Sequence, residues 1–234
     1  DPARKERTWK SRFRLASELR RRGFDRVIDL QNNKTSQLLS YLSCAPKRYG
    51  WDRGVFRFLV NFKVRDPGPM GPVTHQSHLL RLLEIEEVEP ALELWSQPKD
   101  EATVDRFLRQ EWIAGTEPLV GVNLGGSPRW ETKRWPVASI ATLCDRLAQD
   151  RIRVVLTGSE REKSLVHEVL GRVRTKPIVA VGKTTLPQMV SLMRRLSAYV
   201  TVDSAPMHIA ASLKVPVIAL FGPTDPKRHF PPTE

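Results

Sequence analysis

Apolar and polar positions along this chain change period several times, and the changes mark out its elements. Trp9, Phe13, Ala16 and Leu19 recur at helical spacing, so a helix is predicted over 8–22, stopped by Gly23. Arg26-Val-Ile-Asp-Leu30 reads as a strand that ends in the polar turn Gln31-Asn32-Asn33, and a second helix is predicted over about 35–43. The Pro/Gly-rich stretch 66–72 reads as a loop, 75–83 as helical, 84–98 as extended and 100–114 as helical again. From Leu119 the alternation becomes regular. Strands are predicted near 119–124, 152–157, 178–181, 199–202 and 215–221, with helices near 136–149, 160–172, 186–196 and 205–213 between them. Strands alternating with helices in this way make an α/β protein with a Rossmann-like parallel sheet.

Two domains are expected, one over 1–114 and one over 115–234. The first opens on a helix with no strand before it, so its start is expected to be missing. The second is expected to be shortened at its end, because Pro232-Thr-Glu234 follows the last motif closely.

Composition adds limits. The chain has 234 residues, 40% hydrophobic and 27% charged, which is soluble and globular in character. No apolar run approaches the roughly 20 residues of a membrane span, and the opening DPARKERTWK lacks the pattern of a signal peptide. Cys44 and Cys144 have neither metal-ligand nor redox spacing, and their apolar helical contexts predict two buried free thiols in a reducing compartment. The charge is lopsided. Residues 1–65 carry 17 Lys and Arg against 6 Asp and Glu, whereas residues 66–234 carry 21 against 20. That distribution points to an anionic partner for the first part: nucleic acid, an acidic membrane surface or a phosphorylated acceptor, with a solvated helical face around Arg20-Arg21-Arg22 as the plainer alternative.

Four polar turns fall at the expected carboxyl ends of strands, where open α/β sheets bind ligands. The first, Gly125-Gly126-Ser127, leads to Lys133-Arg134-Trp135-Pro136: the glycines permit close backbone approach, Ser127 offers a hydroxyl and Lys133 a charge for phosphate. The second is Thr157-Gly158-Ser159 followed by Glu162, a carboxylate suited either to a ribose diol or to the helix dipole. The third, Asp203-Ser204-Ala205-Pro206-Met207-His208, places Ser204 to cap a helix that starts with Pro206. The amides of that helix start attract a phosphate or diphosphate, while His208 either faces the ligand or packs on the sheet. The fourth, Phe221-Gly222-Pro223-Thr224-Asp225-Pro226, brings the Thr224 hydroxyl towards the same crevice. The G-x-G-x-x-G fingerprint, the P-loop, the G-x-S-x-G elbow and any Cys/His metal cluster are absent from the sequence, which weighs against dinucleotide-dependent hydride transfer, kinase-type chemistry and zinc hydrolysis.

Lys133-Arg-Trp-Pro136, Gly158-x-x-x-Glu162, Asp203-Ser-x-x-x-His208 and Phe221-Gly-Pro-Thr-Asp-Pro226 stand in the order and spacing of one family. Together with Phe24-Asp-Arg-Val-Ile-Asp-Leu-Gln31, they resemble glycosyltransferase family 9, the ADP-heptose:lipopolysaccharide heptosyltransferases, from about residue 18 to the end. The resemblance implies two Rossmann-like domains of the GT-B type, the first incomplete here. The second would hold the sugar nucleotide and the first the acceptor. Carried onto this sequence, Lys133 and Ser127 would neutralise the diphosphate and Glu162 would bind the ribose. Asp203, Ser204 and the following amides would frame the nucleotide, with His208 near the diphosphate and Thr224 beside them. Relatives often have glycine where Ala205 stands, and its methyl narrows the approach of the diphosphate.

The implied reaction is inverting, metal-independent transfer of heptose or a related sugar from an ADP-sugar to the lipopolysaccharide inner core, with no cofactor. Charge stabilisation of the leaving diphosphate would come from a helix N-terminus and a lysine, and a base would activate the acceptor hydroxyl. The family's base is an aspartate in a Gly-Asp motif after the first strand, expected before residue 1. The chain alone is therefore expected to bind nucleotide weakly and not to catalyse transfer. The implied setting is the cytoplasmic side of a Gram-negative-type inner membrane, where the basic N-terminal part would meet anionic sugars and lipid headgroups peripherally. A sugar-nucleotide epimerase of similar build and a basic nucleic-acid-binding α/β module are the competing readings. The second lacks a recognisable binding element for nucleic acid.

Overall fold

A computed structural model of the protein describes residues 9–68, 70–85, 91–111, 117–126 and 131–231. The chain forms two compact units, Asp1–Pro90 and Ala91–Glu234.

The first unit begins with α1 (Trp9–Arg22), whose last turn gathers Arg20, Arg21 and Arg22 at the negative end of the helix dipole. Gly23, at φ +64°, ends it. β1 (Arg26–Ile28) leads to α2 (Lys34–Leu42), which is fixed by a capping box: Asn33 Oδ1 accepts from the Thr35 and Ser36 amides, and Ser36 Oγ accepts from the Asn33 amide. β2 (Lys47–Trp51), a 3-10 turn at Arg57–Leu59, β3 (Phe62–Val64) and α3 (Pro72–Leu80) follow, with a second 3-10 turn at Arg81–Leu83. The three strands form a parallel sheet in the order β1-β2-β3. β2 and β3 carry no expectation from the sequence. They are short, begin or centre on lysine, and depend on pairing rather than on an apolar run. The stretch 84–98, expected to be extended, holds no strand among its described residues: Glu84 lies in the left-handed region at φ +62°, 91–97 lack regular structure and Pro98 begins a helix.

The second unit contains α4 (Pro98–Gln110), β4 (Leu119–Asn123), a 3-10 turn at Glu131–Lys133, α5 (Val137–Gln149) and β5 (Arg153–Thr157). It continues with a 3-10 turn at Glu160–Glu162, α6 (Lys163–Leu170), β6 (Ile178–Val179), α7 (Leu186–Met193), β7 (Ala198–Val202), α8 (Ala205–Ser212), β8 (Val217–Leu220) and α9 (Pro226–His229). All five strands are parallel, in the order β6-β5-β4-β7-β8. The order reverses between β4 and β7, and a crevice opens there at the carboxyl ends of the strands. Both faces are covered, as a parallel sheet requires. Val104 and Leu108 of α4, Leu192 and Met193 of α7 and Ala210 of α8 pack on one face around Tyr199. Ile140 and Cys144 of α5 with Val166 and Val169 of α6 pack on the other. Gly121, in the central strand, is required by packing: a Cβ there would lie 2.5 Å from the ring of Tyr199 and 2.6 Å from Leu196 Cδ1.

Two expectations shift. The units divide at Pro90 and Ala91 rather than at residue 114, because the helix assigned to the first domain (α4) buries Val104 and Leu108 in the core of the second. Cys144 is buried as expected, but Cys44 is exposed. α2 ends at Leu42, and Cys44 sits beyond it in the left-handed region at φ +59°, off the helix's apolar face.

Candidate functional site

The crevice at the carboxyl edge of the five-stranded sheet holds a cavity of about 520 Å³. Its floor is organised by Asn123, the last residue of β4, which is only 4% exposed. Asn123 Nδ2 donates to the Gly125 carbonyl at 2.7 Å and to Thr201 Oγ1 and Ser204 Oγ at 3.1 Å each, while Oδ1 accepts from the Gly125 amide at 3.1 Å. One amide thus ties the turn after β4 to the turn after β7.

Glu162 closes one side. Its Oε2 accepts from the Ser159 amide at 2.8 Å and from Ser159 Oγ at 2.6 Å, completing a capping box after β5. Gly125 and Gly158 leave room for the carboxylate: a Cβ on Gly125 would stand 3.3 Å from Asn123 Oδ1 and 3.5 Å from Glu162 Cδ, and one on Gly158 3.3 Å from Glu162 Cβ. Glu162 is thus a helix cap and a pocket residue at once, with Oε1 outside the cap.

On the opposite side Ser204, Ala205 and Pro206 bring the start of α8 to the cavity wall. Ser204 occupies the N-cap position but does not cap, contrary to the expectation. Its hydroxyl donates to the Val202 carbonyl at 3.1 Å and accepts from Asn123, which holds it under the strand ends. The first turn of α8 therefore presents its dipole end to the cavity without a side-chain cap.

Asp203, 8% exposed, also borders the cavity. Its Oδ2 accepts from Lys133 Nζ at 2.6 Å and from Thr224 Oγ1 at 2.7 Å. Burial raises the Asp203 pKa. The hydrogen bonds from Lys133 and Thr224, with the charges of Lys133 and His229, more than offset this and hold it below the usual carboxylate value. Lys133 and Thr224 come from the loop after β4 and the turn after β8, so three sequence motifs meet at one carboxylate. Gly222 enables this approach, since a Cβ there would lie 3.0 Å from the Thr132 carbonyl.

The structure thus gathers Glu162, Asp203, Ser204 and Ala205 around the cavity, with Lys133 and Thr224 joined to them through Asp203. His208 is half-buried on α8 and is not among the lining residues. Burial lowers its pKa below the ordinary imidazole value, with Asp203 pulling the other way. Ser127 lies outside the described residues. Sequence reasoning passed over Asn123 and the whole wall after β6: Thr184, Thr185, Leu186 and Met189, with Ile209 of α8. Thr185 caps α7, accepting from the Gln188 amide while the Gln188 side chain accepts from the Thr185 amide. Leu186 is 62% exposed, so it contributes apolar surface to the cavity rather than to the core. A polar residue ending the apolar run of β4, and the Thr-Thr-Leu-Pro helix start after β6, are the signals that mark them. Among the described residues no group of three His, Cys, Asp or Glu side chains is placed to hold a metal ion.

A buried carboxylate, an uncapped helix start and an apolar wall thus stand together at the switch point of a parallel α/β sheet, the place where such sheets take ligands. The chain belongs to glycosyltransferase family 9 (heptosyltransferase), whose family model matches residues 12–234. It is 30% identical over 234 residues to lipooligosaccharide heptosyltransferase 2 of Haemophilus influenzae, covering 95% of this chain and 66% of that protein. It is also 30% identical over 226 residues to lipopolysaccharide heptosyltransferase 2 of Escherichia coli, covering 92% and 64%. The chain thus spans just under two thirds of the length of these relatives.

Among solved structures, a family 9 glycosyl transferase from Veillonella parvula superimposes with a TM-score of 0.82 at 27% identity, over 95% of this chain and 64% of that one. E. coli ADP-heptose LPS heptosyltransferase II superimposes with a TM-score of 0.74 at 27% identity, over 96% and 71%. The expected α/β fold of GT-B type accords with both neighbours, and family membership sets aside the epimerase and nucleic-acid-binding readings.

Proposed function

We propose that the second unit is the donor half of an inverting glycosyltransferase that moves heptose, or a related sugar, from an ADP-sugar to a lipopolysaccharide inner-core acceptor. The observation that carries this reading is the cavity at the β4/β7 switch point, with Glu162 on one side and the uncapped start of α8 on the other. Glu162 Oε1 takes the ribose hydroxyls. Leu186, Met189 and Ile209 offer an apolar wall for the adenine. The diphosphate lies over Gly125, Gly126 and the first turn of α8, where Ala205 sets the distance of approach.

In transfer, the acceptor oxygen attacks the anomeric carbon as its proton passes to a base, and the bond from that carbon to the diphosphate oxygen breaks. The charge that develops on ADP is met by the α8 dipole and by Lys133, supplied from its pair with Asp203. Thr224 and His208 act behind that wall, and Ser127 is assigned to the diphosphate. No residue of this chain is assigned as the base. The basic first unit is read as the acceptor side, working peripherally at the cytoplasmic face of an inner membrane. Its charge and the exposed Phe13, Val55 and Phe58 support that placement.

Isothermal titration of ADP and UDP into the wild type and Leu186→Asp tests the donor assignment. Leu186 is exposed, so the variant folds normally while placing a carboxylate in the cavity. ADP is expected to bind more tightly than UDP and to weaken at least about tenfold in the variant. Equal binding of ADP to both proteins would refute the assignment.

A further inference from the structure

Five buried side-chain polar atoms among the described residues have no hydrogen-bond partner: Asn32 Nδ2, Gln37 Oε1, Trp51 Nε1, Gln76 Oε1 and Ser191 Oγ. The first four all belong to the first unit, and the topology brings them to one place, the carboxyl edge of its parallel sheet. Asn32 follows β1, Trp51 is the last residue of β2, Gln37 lies in the first turns of α2, and Gln76 on α3 reaches back to the Leu30 carbonyl.

The orientations of the three amides are fixed by their partners. Gln37 Nε2 donates to Asn32 Oδ1 at 2.7 Å and to the Arg53 carbonyl at 2.9 Å, which leaves Gln37 Oε1 and Asn32 Nδ2 over. Gln76 Nε2 donates to the Leu30 carbonyl at 3.2 Å, leaving Oε1. The set therefore offers two donors and two acceptors. Gln37 and Trp51 are each 1% exposed, so leaving such groups unmatched is costly.

The Asp52–Val55 turn is exposed, Arg53 supplies one carbonyl to Gln37, and Gly54 sits at φ +90°, where a Cβ would be 3.3 Å from Gln37 Nε2. Arg53 is held by Asp66, which also accepts from His75 Nε2 at 3.1 Å, and the His75 ring lies 4.1 Å from that of Trp51. A charged, hydrogen-bonded frame thus surrounds an unsatisfied polar interior at a parallel-sheet edge, the position where such sheets take ligands.

We propose that Asn32, Gln37, Trp51 and Gln76 form a carbohydrate subsite that engages vicinal hydroxyls of one sugar ring. Each hydroxyl both donates and accepts, so two adjacent hydroxyls match two donors and two acceptors, and displacement of the Arg53–Gly54 turn admits them. The inference rests on the reading of the first unit as the acceptor side and assigns residues to it.

The test uses the full-length protein and three variants: Trp51→Phe, Gln76→Met and, as a control for an orphaned atom elsewhere, Ser191→Ala. Trp51→Phe removes the indole N–H while keeping an aromatic ring, and Gln76→Met removes an amide on a half-buried helix face. Calorimetry follows a deacylated inner-core oligosaccharide, with maltotetraose as the neutral comparison and ADP for the donor side. The expected result is that Trp51→Phe and Gln76→Met each weaken oligosaccharide binding roughly tenfold, the loss of one hydrogen bond to a buried group. ADP binding should hold in both variants and the melting temperature in Gln76→Met, whereas Trp51→Phe should melt lower because the smaller ring leaves a cavity in the core; Ser191→Ala should change neither ligand. Unchanged oligosaccharide binding in Gln76→Met and Trp51→Phe, or no saturable binding by the wild type, overturns the subsite while normal ADP binding leaves the donor assignment standing. Loss of ADP binding in the wild type would instead refute the donor reading.

Discussion

Removing the cation from the Lys133–Asp203 pair perturbs both stability and its pH dependence. The two side chains are only 11% and 8% exposed and their charged atoms are 2.6 Å apart, so solvent screens them little. In Lys133→Met the alkyl stem remains, but among the described residues Asp203 keeps the Thr224 hydroxyl as its side-chain hydrogen-bond donor, with the charge of His229 beyond it. Stranding one member of a buried pair costs about 3–5 kcal/mol, a large share of the 5–15 kcal/mol typical of a folded domain.

The pH dependence gives a sharper signature. In the wild type the folded pKa of Asp203 is depressed, so its contribution is fully present above the unfolded value of about 4 and is lost as pH falls through the folded value. In the variant the hydrogen bond and charge of Lys133 no longer oppose burial, so the carboxyl pKa rises relative to wild type. The deficit relative to wild type should then be largest at pH 7 and shrink on acidification, because a protonated Asp203 no longer needs the lysine. Urea unfolding of the wild type, Lys133→Met, Asp203→Asn and the double variant between pH 7 and pH 4 measures this. The double variant should recover much of what Lys133→Met loses. A deficit below about 1 kcal/mol at pH 7, or one independent of pH, would refute the reasoning.

Other outcomes follow from the same geometry. Gly121→Ala drives a methyl into the ring of Tyr199, whose hydroxyl is fixed to Thr157 at 2.7 Å; a loss of at least about 2 kcal/mol is expected, read as a fall in melting temperature. No change would mean that the strand spacing is looser than described. A thiol reagent should label Cys44 rapidly and Cys144 only on unfolding, because burial pushes the Cys144 thiol up to about 11. Two fast-reacting thiols in the native protein would contradict the packing of α5. Glu162→Gln should weaken ADP binding roughly tenfold by removing the ribose acceptor charge, while AMP and ADP should suffer alike, since the ribose is common to both. A loss confined to ADP would place Glu162 at the diphosphate instead.

Much of the second unit is legible in the chain because each strand there is an apolar run closed by a polar turn. Gly125-Gly126, Gly158 to Glu162 and Asp203-Ser204 could be placed at one sheet edge from that pattern alone. Asn123 escaped because it is the last residue of β4, where its polarity reads as a strand end rather than a structural hub. Leu186 and Met189 escaped because leucine and methionine on a helix read as core; Met189 does pack partly on the core, and only the exposure of Leu186 sets it apart. The pairing of Lys133 with Asp203 spans 70 positions and depends on Gly222 letting two turns meet, a contact that local pattern does not encode. Ser204 has the residue type and position of a cap, yet Asn123 and the Val202 carbonyl compete for its hydroxyl and win. In the first unit β2 and β3 went unread because Lys47-Arg-Tyr-Gly-Trp51 and Phe62-Lys-Val64 are too short and too charged to announce themselves.

The most direct test of the donor site is hydrogen–deuterium exchange of the protein with and without saturating ADP. Protection is expected at 123–126, 158–162, 184–189 and 203–206, stronger with ADP than with UDP. Absence of protection at those four segments, or protection confined to residues before 91, would contradict the assignment of the nucleotide to this cavity.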